Sequence, residues 1–155
     1  MSAYTHIFVE KQGAFIEISC TGRSSILSQI FADYAPWEKI REVTHEDLQH
    51  IYSEQAGELR DLKQHLREQK KRISVIASFN NSIDEKLDAW RDLDEGIEEC
   101  KDSIAELEAA LHTVDLLKDI TYNSQLAVKY DQAIPVRIYA GTECGSDVTA
   151  EDIEK

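Results

Sequence analysis

The sequence predicts an α+β protein in which a long antiparallel α-helical hairpin of coiled-coil type joins a small antiparallel β-sheet formed by N- and C-terminal segments. Three observations carry that expectation: period-two alternation near both ends, an apolar heptad stripe through the middle, and a break halfway along that stripe. With 155 residues, 42% hydrophobic and 30% charged, the chain has the size and composition of one ordered domain.

Residues 1–22 read as a β-hairpin. Ile7 and Val9 alternate with His6, Phe8 and Glu10, and Phe15 to Cys20 alternates around Glu17 and Ser19. Between them Lys11-Gln12-Gly13 supplies a glycine able to take positive φ. Short helices are expected over 23–43. Ile26, Leu27, Ile30 and Phe31 recur at helical spacing behind a serine cap, and that helix should end near Tyr34. Pro36 turns Ala35 away from helical angles and suits the first turn of a second short helical piece carrying Trp37 and Ile40.

The long helical hairpin is expected over 44–122, with its turn at 80–82. Thr44 is a capping residue, with Glu46 and Asp47 where carboxylates meet the positive end of the helix dipole. Counting in threes and fours from Leu59 to Val114, fourteen of seventeen stripe positions are apolar. A single straight helix over that span would be about 120 Å long. A hairpin is favoured because Asn80 and Asn81 are poor interior helix residues and Ser82-Ile83-Asp84-Glu85 is a capping box. Charge agrees: Arg67, Lys70, Lys71 and Arg72 crowd the end of the first arm, and Asp84, Glu85 and Asp88 the start of the second. Folding at the Asn pair brings Lys63 toward Glu98 and Arg67 toward Asp94. Two helices alone make a thin core, and Tyr52, Val75, Phe79, Leu93, Leu116 and Leu117 lie off the seam. A second hairpin from another subunit is therefore expected to cover them, giving a homo-oligomer.

Residues 123–142 read as a connector and a C-terminal strand that packs on the N-terminal sheet. Leu126 to Tyr130 fits a last helical turn or a strand equally well. Ile134 to Ala140 alternates as a strand, with Pro135 at a start or an edge and Gly141 ending it. The acidic stretch 143–155 reads as a mobile tail.

Thirty acidic against seventeen basic residues give a formal charge of −13, which repels phosphate backbones and works against direct nucleic-acid binding. Cys20, Cys100 and Cys144 show no C-x-x-C spacing and read as reduced thiols. No basic region followed by an apolar stretch opens the chain and no run of about 18 apolar residues occurs, so a cytoplasmic protein with no membrane partner is expected. No catalytic, cofactor or metal site is expected: the five histidines form no H-E-x-x-H, and the carboxylates Asp92 to Asp102 face a basic segment.

Two weaker patterns remain. Thr21-Gly22-Arg23-Ser24-Ser25 ahead of a helix could cradle an anion, with Arg23, Ser24 and Ser25 as ligands. A strand-to-helix turn capped by serine needs the same residue types for structural reasons. Tyr34 and Trp37 beside Pro36 are candidates for an interaction patch, or else pack the short helices over the sheet. The function expected is that of a non-enzymatic, oligomeric protein-interaction protein, an adaptor or assembly factor with a protein partner. One alternative is a small acidic inhibitor or nucleic-acid mimic of bacteriophage effector type. The other is a module sequestering a small anionic or nucleotide ligand near Arg23.

Overall fold

The computed structural model describes residues 3–22, 24–76, 82–129 and 136–144. Four strands, β1 (Ala3–Lys11), β2 (Ala14–Gly22), β3 (Ile40–Val43) and β4 (Val136–Cys144), form one antiparallel sheet in the order β2-β1-β4-β3. The N- and C-terminal segments therefore pair at its centre, as the alternation at both ends predicts. The β1–β2 turn consists of Gln12 (φ 56°) and Gly13 (φ 80°). Two successive left-handed residues match the right-handed twist of the strands, which is the geometry that a two-residue hairpin favours. In β2 the register slips opposite Ile7 and Phe8, which pair with Ser19 and Glu17, so Ile18 is the extra residue of a bulge.

Between β2 and β3 lie α1 (Ile26–Ile30) and a 3-10 turn over Ala32–Tyr34. The helix expected to reach Tyr34 is thus interrupted at Phe31. The second helical piece does not form: Ile40 opens β3, and Trp37 bridges to Thr142. Glu38 N–H donates to the Thr142 carbonyl (2.8 Å) and Thr142 N–H to the Pro36 carbonyl (2.9 Å). The open edge of β4 supplies backbone partners that a short helix would forgo. Nor does Gly141 end the last strand, since β4 continues to Cys144 opposite Ala3. Residues 143 and 144 belong to the sheet, and the remaining tail, 145–155, lies outside the described residues.

Two long helices follow from the caps read in the sequence. α2 (His45–Ile76) starts at Thr44, whose hydroxyl accepts from Asp47 N–H (3.1 Å) while the Asp47 carboxylate accepts from Thr44 N–H (3.1 Å). α3 (Ile83–Lys129) starts at Ser82, whose hydroxyl accepts from Glu85 N–H (3.3 Å). It runs to Lys129, so 123–129 is helix and not connector. The proposed reversal at Asn80 and Asn81 lies outside the described residues.

The chain divides into two compact units, 1–54 with 110–155, and 55–109. In the first, one face of the sheet packs on helix: Ile7, Val43, Ile138 and Ala140 meet Phe31, Leu48, Ile51, Val114 and Leu117, all buried. The other face carries a smaller aromatic cluster, with Phe8 and Ile40 buried against Phe15 and Tyr139. Phe15 meets Phe8 and Tyr139 edge-on, at centroid distances of 6.5 and 5.3 Å. In the second unit α2 and α3 touch in antiparallel order. Cys100 donates to the Leu62 carbonyl (3.4 Å), Trp90 Nε1 to the Ile73 carbonyl (3.3 Å), and Lys63 pairs with Glu108 (3.2 Å) instead of Glu98. Glu98 itself takes Lys101 one turn along its own helix.

Candidate functional site

The turn ahead of α1 is built as a cap. Ser25 sits at φ −73°, ψ 150°, its hydroxyl accepts from Ser28 N–H (3.1 Å), and its carbonyl accepts from Gln29 N–H (3.1 Å). Ser24 is exposed and its carbonyl accepts from the Gln29 side chain (3.3 Å). Arg23 lies outside the described residues. The hydroxyl expected to meet an anion at Ser25 is therefore engaged in holding a five-residue helix.

Tyr34 and Trp37 part company. Tyr34 packs half-buried against the main core with the Arg41 guanidinium over its ring at 5.4 Å. Burial pushes its hydroxyl above the ordinary tyrosine range, and the Asp47 and Glu54 carboxylates push the same way against Arg41. Trp37 is 48% exposed and lines a cavity of about 490 Å³ together with Pro36, Gln29 and the buried hydroxyls of Thr5, Ser28 and Thr142. Those hydroxyls are spoken for. Thr5 and Ser28 hydrogen-bond to each other, and Thr142 donates to the Ala35 carbonyl (2.8 Å).

A second cleft, about 350 Å³, lies between β4 and the end of α3, where Glu42, His45, Thr121, Ser124 and Arg137 meet. Thr121 Oγ1 has one hydrogen and lies within donating reach of the Leu117 and Lys118 carbonyls (3.1 and 3.0 Å). His45 Nδ1 lies 2.9 Å from the same hydroxyl oxygen, and the tautomer of the ring sets which of the two donates. Arg137 is turned toward Glu42 (3.7 Å). His45 belongs to no H-E-x-x-H pattern, and its partner is 76 residues distant, so no local motif marks it.

The third grouping is on the outer face of the sheet. His6 is fully buried, its Nδ1 lies 2.7 Å from Glu17 Oε1, and its ring stacks on Phe8 at 6.1 Å. Donor atoms of His6, Glu17 and Cys20 all lie within 4.8 Å of one another. The β2 bulge makes this possible. Residues three apart on a regular strand face opposite ways, and the extra residue Ile18 returns Glu17 and Cys20 to one face, opposite Phe8 and His6. No metal site was expected here. A histidine on the same face of a strand as Phe8 was the one available hint.

Compared with known protein families, with curated proteins and with solved structures, the chain matches none. Among the described residues no helix is long and apolar enough to cross a membrane.

Proposed function

We propose that the chain is a non-enzymatic interaction protein that associates with a second copy of itself through its helical unit, residues 55–109, and acts as a cytoplasmic adaptor or assembly factor. The observation that supports this reading is how many apolar residues of this unit, on the stripe and beside it, two helices leave partly uncovered although Ile76, Ile97, Cys100 and Leu107 are buried. Leu59, Leu62, Leu66 and Ile73 of α2 and Trp90, Leu93 and Ile104 of α3 are only half-buried. Val75 (52%), Ile83 (76%) and Leu87 (47%) are exposed. Burying such side chains contributes about 25 cal/mol per Å² removed from water, and that gain remains open to a partner.

Charge favours a second copy over an unrelated partner. α2 carries Arg60, Lys63, Arg67, Lys70, Lys71 and Arg72, while α3 is lined with carboxylates from Asp84 to Glu108. A two-fold arrangement sets the basic stretch Arg60–Arg72 of each copy against the acidic α3 of the other. Light scattering across a micromolar concentration series, with crosslinking of differently tagged copies, should give a dimer or a larger closed assembly. A monomer at every concentration would overturn the proposal. The acidic-mimic alternative has net charge alone behind it, and the Ser25 cap leaves the Arg23 alternative without a further observation.

A further inference from the structure

We propose that His6, Glu17 and Cys20 form a binding site for a thiophilic divalent cation, zinc first, on the outer face of the sheet. The donors are one ring nitrogen, one carboxylate oxygen and one sulfur, held within 4.8 Å of one another. Bond lengths of about 2.0–2.3 Å to nitrogen, oxygen and sulfur place tetrahedral ligands roughly 3.3–3.8 Å apart. To reach that spacing the 2.7 Å contact between His6 Nδ1 and Glu17 Oε1 has to open and give up its proton, while the sulfur draws in from within 4.8 Å. The nitrogen–sulfur pair selects zinc, cobalt or copper over magnesium and calcium, which take oxygen donors. Three protein ligands leave a fourth position for water or an incoming donor.

Two features of the fold hold the trio in place. His6 is fixed by burial and by its stack on Phe8, in a strand paired on both sides. Glu17 and Cys20 share its face only because the bulge inserts Ile18 between them, and bulges recur where a strand must re-aim side chains.

Cobalt(II) titration of the reduced, metal-free full chain tests the site, because a cobalt–thiolate bond gives a near-ultraviolet charge-transfer band. One equivalent should produce the band and zinc should abolish it. Cys20→Ser should remove the band, Cys144→Ser should leave it, and Glu17→Gln should weaken binding about tenfold or more. Absence of the band, or its survival in Cys20→Ser, overturns the proposal. X-ray absorption on the zinc-loaded wild-type chain decides the matter even if Cys20→Ser does not fold. One sulfur in the first shell is expected, and a shell of nitrogen and oxygen alone overturns the site.

Discussion

Gly141 is the residue at which the backbone of this fold leaves least room. A Cβ added there would meet the Lys39 carbonyl oxygen at 2.3 Å and the Ile40 side chain at 3.1 Å, and the carbonyl belongs to a segment pinned to β4 on both sides of it. Gly141→Ala should cost about 3 kcal/mol in urea unfolding, at the upper end of the overpacking range. Gly57 is the control. It lies inside α2 with nothing within 4 Å of an added Cβ, so Gly57→Ala should stabilise by about 0.5–1 kcal/mol. Equal effects at the two positions would show that propensity, and not close approach, governs Gly141. At this scale the sequence was readable only where chemistry is local. Gly13 announces its turn from its neighbours, whereas the reason for Gly141 is a chain segment about a hundred residues away. The same limit hid Cys20 and Glu17, whose shared face depends on a one-residue slip that alternation cannot reveal.

At the level of elements, the two long helices are defined by their first turns. Thr44 and Asp47 satisfy each other's backbone N–H groups in both directions, while Ser82 makes one longer bond to Glu85 N–H. Thr44→Ala should therefore cost about 1 kcal/mol, measured by thermal or chemical unfolding, and Ser82→Ala clearly less. The reverse order would mean that the Thr44 pair adds nothing beyond what water supplies. Both starts were legible because a capping motif is four consecutive residues. The stripe was legible as well, since its apolar positions line the α2–α3 contact at Leu62, Ile73, Trp90 and Cys100. β3 was not. Ile40-Arg41-Glu42-Val43 is too short for alternation to stand out, and its strand conformation comes from the β4 edge alone. The end of α3 was blurred for a related reason. Ser124 uses its hydroxyl to accept from Val136 N–H (2.7 Å), a tertiary contact that lets the helix run on where its own pattern fades.

On the scale of the whole molecule, the sheet unit draws its main core from two stretches of chain far apart in sequence. Ile7, Phe31, Val43, Leu48 and Ile51 come from residues 1–54, and Val114, Leu117, Ile138 and Ala140 from 110–155. Within that unit α2 and α3 are joined by His45–Thr121 and by Lys118 over the Tyr52 ring at 4.3 Å, so the cut ends at Glu54 and Ala110 belong to neighbouring helices. Replacing Gln55–Ala109 with a glycine-rich loop of about five residues should leave a protein that unfolds cooperatively and keeps its strand signature by circular dichroism. Failure to fold would show that this core needs the helical unit. The same variant separates two sources of self-association. If residues 55–109 make the dimer, their removal leaves a monomer by light scattering at every concentration at which the full chain pairs. A shortened chain that folds and still dimerises would move the interface onto the sheet unit, where Ile16 and Ile18 of the edge strand β2 are exposed, at 63% and 46%.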